Sequence, residues 1–445
     1  MSAPALGVAA PGTAAAPSMV AAAVAPERLH ARSLIAYGIF GMPLAMAALP
    51  LYVHLPNFYG GHLGIDLATL GVLLLMMRLV DGVLDPLLGV WSDRARSRKL
   101  LIACAAPVLA IGMVALFVPL PRAHGPLLAW LGISLALVYL AFSLATINHN
   151  AWGAELSADP VERTRITAVR EGLALVGVVI ASVAPTLLGI PGAPETGLGA
   201  YAWCFAGFTV ICTVVMLRAP AAPMPARSAG TAWSGLRVPL GDPLFRRLLI
   251  VFLANGIASA IPATLVLFFI ADVLREESHQ GLFLALYFIA GAAGMPLWVK
   301  LSARSGKVRA WALAMAAAIV AFVWAFWLGP GDTAAFATIC VLSGLALGAD
   351  LALPPSLLAD VIGRDGTARA AGAYFGLWTL ATKLNLALAA GIGLPLLAAL
   401  GYAPGAQAPG AVSALAFVYA AVPCLLKLGA IAALFSFAAA ARRSR

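Results

Sequence analysis

From about residue 33 onward, long apolar runs alternate with short polar breaks along the 445-residue chain. Twelve runs can be marked, at about 33–55, 66–91, 100–120, 126–152, 168–190, 199–218, 244–271, 280–300, 309–328, 333–358, 369–399 and 412–438. Each is close to or above the roughly 20 residues a helix needs to cross about 30 Å of hydrocarbon. The breaks carry turn chemistry, as in "PLPRAHGP" (119–126), "GIPGAPETGLG" (189–199) and "GYAPGAQAPG" (401–410), where Pro and Gly stop one helix before the next begins. The pattern predicts an all-α integral membrane protein of twelve transmembrane helices. The longest polar stretch, 219–243, divides them into bundles of six at 33–218 and 244–440, leaving tails at 1–32 and 441–445.

The two halves echo each other. "GVWSDRARSRK" follows the second run and "PLWVKLSARSGKVR" the eighth, about 210 residues later; "AELSADPVERTR" follows the fourth and "LLADVIGRDGTAR" the tenth, about 205 later. A near-constant offset predicts two pseudo-symmetric bundles, the arrangement in which a transporter's binding site lies between repeats.

Composition agrees with this reading. The chain is 62% hydrophobic and 10% charged, with mean hydropathy +0.97, against roughly 25% charged residues in soluble domains. The net charge of +10 does not point to nucleic acid. Of 28 Lys and Arg, only Arg122 and Arg275 fall in the loops of one side, and Arg78, Arg170, Lys383 and Lys427 fall within spans. All others fall on the opposite side, with both termini and the central loop, so the positive-inside rule makes that side cytoplasmic. Five scattered cysteines have no metal-ligand spacing and read as buried thiols. Residues 1–32 lack the basic start and compact apolar core of a signal peptide and read as a disordered cytoplasmic tail.

Candidate chemistry begins in "LLLMMRLVDGVLDPLLGVWSDRARSRK" (73–99), where Arg78, Asp81 and Asp85 share one helix face. A charge at mid-bilayer costs about 2.5–3.5 kcal/mol even on the lenient insertion scale, so that face must turn into the bundle. Two neighbouring carboxylates suit a hard cation such as Na⁺, or can share a proton; a structural ion pair with Arg78 is the plainer alternative. Within the spans, Asp81, Asp85, Glu171 and Asp350 stand against Arg78, Arg170, Lys383 and Lys427, four acids to four bases. Asp350 reads equally as a structural partner or a proton site, and Lys427 as a structural partner or a snorkelling side chain. Asp93, Arg94, Glu155, Asp159, Glu162, Arg163 and Arg165 fall in the basic loops and read as gate latches, with Asp360 and Arg369 as their repeat-related counterparts.

Gly89, Asp93 and Arg94 fit the Gly-x-x-x-Asp-Arg loop of the major facilitator superfamily. More narrowly, "RLVDGVLDP", "AWGAELSADPVERTRITAVR" and "LLADVIGRDGTARAAGAYFGLWTLATKLNLAL" resemble the glycoside–pentoside–hexuronide:cation symporters, the melibiose-carrier relatives. The resemblance implies alternating access coupled to Na⁺ or H⁺, with Asp81 and Asp85 as the cation site. It also implies that Lys383 lies near them as a cation substitute, and that Arg170 lies near the sugar and cation sites. Members of the branch hold sugar with an aspartate in the first helix and another in the fourth; here Met42 and Pro43 stand at the first place and Asn148 at the second. Substrate contacts are then expected from Asn148, Trp152, Tyr37, Trp378, Thr379 and Thr382, with His149 and Asn150 as further hydrogen-bonding groups. The expected solute is a sugar or glycoside, alternatively an amphiphile such as a lysolipid. No cofactor and no nucleic acid is expected, and a monomer in a bacterial inner membrane suffices. Two other classes remain: a non-transporting sensor, and an intramembrane enzyme, although no HExxH, phosphate-cradling loop or nucleophile–base pattern appears.

Overall fold

The computed structural model describes residues 28–65, 67–121, 123–189, 196–220, 232–363, 370–402, 405 and 408–443. Among them every regular element is helical. The first apolar run is interrupted: α1 (Ala31–Gly38) ends in a turn at residues 39–40, and α2 (Gly41–Asn57) restarts behind it. Pro43 is tolerated there because an absent N–H in a helix's first turn forfeits no intrahelical bond. The other spans of this half are α3 (Leu67–Ser92), α4 (Arg98–Phe117), α5 (His124–Glu155), α6 (Pro160–Leu188) and α7 (Thr196–Leu217). A short helix, α8 (Ala232–Gly241), lies within the segment expected as a plain linker. The second half comprises α9 (Pro243–Phe268), α10 (Gln280–Ser305), α11 (Lys307–Phe322), α12 (Thr333–Ile362), α13 (Ala371–Ala399), and α14 (Pro409–Ala416) continuing into α15 (Val422–Arg443).

Among the described residues, ten spans are long and apolar enough to cross a membrane by themselves. The charged α3, 26 residues long, and α13, 29 residues long, bring the count to twelve. Both expected tails are shortened: α1 begins at Ala31, and α15 runs to Arg443 through "AAAARR", residues of high helix propensity. Residues 1–27 of the expected N-terminal tail lie outside the described residues. Helix starts at the loop end carrying the basic residues are chemically specified. Asp159 accepts from the amides of Val161 and Glu162 ahead of Pro160, and Asp242 does the same for Leu244 and Phe245 ahead of Pro243. An acidic N-cap followed by proline is a strong helix-start signal.

The helices sort into two bundles of six spans. They meet where α3 packs on α13, α6 on α10 and α12, and α5 on α12 and α13. Second with eleventh and fifth with eighth are exchanged by a two-fold relation between halves, as the sequence repeat requires. The α3–α13 crossing is close because glycine faces glycine. A Cβ at Gly89 would run into the Gly372 carbonyl, and a Cβ at Gly372 into the Gly89 carbonyl. At the basic-loop end the bundles share one apolar core, in which Val90, Ile147 and Ala151 join Leu357, Leu358 and Tyr374. In the far half, the core built on Ile261, Phe269, Phe336 and Tyr419 draws on the second bundle alone. The first bundle keeps its own core around Phe40, Leu109, Leu135 and Phe205. The two halves are therefore sealed together at the basic end.

Candidate functional site

Helix α3 presents two unlike faces. Val72, Leu79 and Val83 are 55–67% exposed, whereas Asp81 and Asp85 are 7% and 0% exposed. The acidic face is thus turned into the protein, as the cost of a lipid-facing charge requires. There it meets Lys383 of α13. The ammonium donates to Asp81 Oδ2 at 2.5 Å and lies 2.7 Å from Asp85 Oδ2. Ser143 of α5 completes the group, donating to Asp81 Oδ1 at 2.8 Å and accepting from Lys383 at 3.0 Å.

Asp81, Asp85 and Lys383 sum to a charge of −1. The Asp85–Lys383 contact is an ion pair outside hydrogen-bond geometry, and neither Asp85 oxygen has a hydrogen-bond partner among the described residues. Two carboxylates and a hydroxyl form an all-oxygen donor set, which suits a hard monovalent or divalent cation. Arg78, three residues before Asp81 on the same helix, is half-buried.

Arg170, expected beside this site, is engaged elsewhere. It pairs with Glu171 at 2.6 Å and donates to the Tyr37 hydroxyl at 3.4 Å. Tyr37 in turn donates to the His149 carbonyl at 2.9 Å, and the His149 ring meets the Tyr37 carbonyl at 2.9 Å. These reciprocal bonds tie α1 to α5 inside the first bundle. Asp350 has a clear role in geometry: it pairs with Lys427 at 2.9 Å and accepts from Asn255 at 3.0 Å and the Trp311 indole at 2.8 Å.

The expected substrate residues do not gather around one space. Tyr37, Asn148 and Trp152 are buried in the sealed end; Asn148 accepts from Arg98 at 3.3 Å, and Trp152 packs edge-on to Tyr37 at 5.1 Å with Lys99 over its ring. Trp378 stacks on Phe252 at 3.8 Å. Thr379 and Thr382 spend their hydroxyls on carbonyls one turn back, and only Thr382 of this set is exposed. With the basic end closed, the others are enclosed by protein, and the Trp152 indole N–H is buried with no partner among the described residues.

The latch residues form two groups. In the first, Arg98 bridges Asp93 at 2.7 Å and Glu155 at 3.0 Å, and Asp93 also accepts from the amides of Gly372 and Ala373 at 2.6 and 2.9 Å. Asp93 of one bundle thereby caps the first turn of α13 in the other. Burial pushes its carboxyl above the ordinary range, opposed by the Arg98 guanidinium and the two amides. In the second group, Asp360 of α12 binds Lys307 at 2.6 Å and, across the bundles, Arg163 at 3.3 Å. Thr164 and Ser356 add a hydroxyl contact of 2.8 Å beside it. The Arg98–Glu155 and Lys307–Asp360 pairs occupy matching places in the two halves. Glu162 and Arg165 pair at 3.3 Å but hold the Leu29 backbone, within one bundle, rather than bridging the gate. Arg94 is exposed, and Arg369 lies outside the described residues.

Residues 34–439 match the family described as MFS/sugar transport protein. A protein of Escherichia coli (strain K12) named as a glycoside/cation symporter, YagG, is 26% identical over 189 residues, 41% of each chain. A symporter of Synechocystis sp. is 26% identical over 286 residues, 59% of this chain and 47% of its own. The aligned stretches thus span less than half the length of these relatives. Among solved structures, a bacterial homologue of the iron transporter ferroportin in an outward-facing state superposes with a TM-score of 0.70 at 16% identity, covering 92% of this chain and all of its own. The proton:xylose symporter XylE gives 0.64 at 13% identity, covering 89% and 94%. The Escherichia coli fucose:proton symporter FucP also gives 0.64 at 13%, covering 90% and 98%. At such identities the superpositions speak for the fold.

Proposed function

The chain belongs to the MFS/sugar transport protein family, and from that premise we propose that it is a cation-coupled symporter of a small, sugar- or glycoside-like solute, working by alternating access with its basic end in the cytoplasm. The observation that carries this reading is the Asp81–Asp85–Lys383–Ser143 group, which joins the two bundles through charges held in an apolar interior. Its two carboxylates share one ammonium, and their oxygens are the donors that a single Na⁺ or H⁺ would compete for. In the cation's absence the Lys383 ammonium holds α13 against α3. A cation drawn in by Asp85 competes for the same oxygens and releases the ammonium, so ion binding and the relative position of the bundles become linked. The sealed basic end supports an outward-facing state, the condition in which solute and ion would enter from outside.

The reading is tested by solute uptake into right-side-out vesicles with an imposed Na⁺ or H⁺ gradient. Accumulation above equilibrium is expected with one of the two gradients. It should vanish in Asp81→Asn, Asp85→Asn and Lys383→Ala variants that insert normally. Uphill uptake that persists in all three would refute ion coupling at this site, and a chain that binds solute without moving it would be a sensor.

A further inference from the structure

A cavity of about 190 Å³ lies wholly within the second bundle, lined by α9, α10, α11, α12 and the α14–α15 span and by no residue of the first bundle. Its wall is largely aromatic and aliphatic, with Phe283, Phe288 and Phe322 among the rings. Three polar groups on this wall retain unused hydrogen-bonding capacity. The hydroxyls of Tyr287 and Tyr419 have no hydrogen-bond partner among the described residues, although Tyr419 is only 2% exposed and its ring is fixed by stacking on Phe269 at 4.1 Å. The Lys427 ammonium donates to Asn255 at 2.7 Å and to Asp350 at 2.9 Å, which uses two of its three N–H groups. Tyr287 is partly buried and neither hydroxyl is among the enclosed partnerless atoms, so both are open to the cavity, and their convergence with Lys427 on one apolar space suits a ligand carrying oxygen.

We infer that this cavity is a binding site for an uncharged, ring-sized aromatic alcohol whose oxygen meets the hydroxyls of Tyr287 and Tyr419 and the ammonium of Lys427. Size sets the body of the ligand: an apolar cavity of about 150 Å³ holds one benzene, and this one exceeds that by little more than a substituent. Charge sets the head. Asp350 and Lys427 already cancel, and Asp350 already accepts from Lys427, Asn255 and Trp311. A carboxylate would therefore bring an uncompensated negative charge into the apolar interior, whereas a neutral hydroxyl accepts from Lys427 with no such cost. A free sugar is excluded by the same wall, which offers too few partners for a ring of hydroxyls. The site shares no residue with the ion-coupling group, and its occupancy requires no gradient.

The test is ¹⁹F NMR of 4-fluorobenzyl alcohol, 4-fluorotoluene and 4-fluorobenzoate with the purified full chain in lipid nanodiscs. The alcohol should bind saturably and about 2–10-fold more tightly than 4-fluorotoluene, the worth of one net hydrogen bond. Tyr419→Phe, which keeps ring and volume, should reduce that preference, and Tyr287→Phe with Tyr419→Phe should reduce it further. Ser343→Phe should abolish binding, since Ser343 lines the cavity and bonds only its own helix backbone. Val320→Phe, on the 67% exposed side of α11, should bind as the wild type does. Equal binding of alcohol and toluene, tighter binding of the benzoate, or undiminished binding in Ser343→Phe would each overturn the assignment. Because no ion or transport step enters the readout, these results stand apart from the test of coupling.

Discussion

One ammonium, that of Lys383, makes an ion-pair contact with both aspartates of the central group. Removing one partner of a buried pair costs about 3–5 kcal/mol, since the remaining charge stays in the low-dielectric interior. Lys383→Ala should therefore lower the thermal midpoint in ion-free buffer. It should recover more steeply than wild type when Na⁺ is added or the pH is lowered, and Asp85→Asn in the same chain should restore much of the loss. A midpoint in Lys383→Ala that ignores both ions and acid would mean that the aspartates are balanced by another group. Ser143 acts on the same oxygens more gently. Its hydroxyl touches both Asp81 and Lys383, and bonds to charged groups contribute about 1.5–3 kcal/mol. Ser143→Ala should accordingly raise the cation concentration giving half-maximal uptake about tenfold, with little change in maximal rate.

At the scale of elements, α3 and α13 meet through Gly89 and Gly372, each of which leaves room for the other's carbonyl. A larger side chain there has no rotamer that avoids backbone, and overpacking of this kind costs about 1–3 kcal/mol. Gly372→Val should push the helices apart at the basic end, seen as shortened distances across the far end by spin-label measurements. Unaltered distances would mean that the crossing is not the pivot of the two halves. The helices themselves were legible in the sequence, because period, length and turn residues act locally. So was the meeting of Asp81, Asp85 and Lys383, through the resemblance of "RLVDGVLDP" and "LWTLATKLNLAL" to the symporters. Ser143 was not: a serine in an apolar helix gives no signal of what it faces until the rotation of α5 against α3 is known. Arg98 and Lys307 hid among other loop cations for a related reason, since which cation meets a carboxylate depends on loop geometry rather than on spacing. The enclosure of Asn148 and Trp152 in this state was not legible either, because sequence position along α5 does not tell which gating state buries them.

For the whole molecule, the seal at the basic end is a sum of small terms laid over an apolar core. The Arg163–Asp360 contact is partly exposed, with Asp360 27% accessible at its side chain, and pairs of that kind contribute about 0–1 kcal/mol. Alternating access needs no more, because 1 kcal/mol between two states changes their ratio about fivefold. Asp360→Ala should therefore leave the fold intact and tilt the balance toward opening at the basic end. A cysteine placed at Ser356, in a chain freed of its own five, should then be alkylated from that side several times faster than with Asp360 present. Equal rates would assign closure to the shared apolar core and leave the ion pairs without influence on it.

One consequence follows from the position of Asp93, whose carboxylate finishes the start of a helix belonging to the opposite half. The amides of Gly372 and Ala373 are shielded only while the halves touch, so each excursion that parts them hands those two protons to water. Their exchange with deuterium is thus a built-in clock for the gate at the basic end, counting openings on the unlabelled protein, solute by solute and ion by ion.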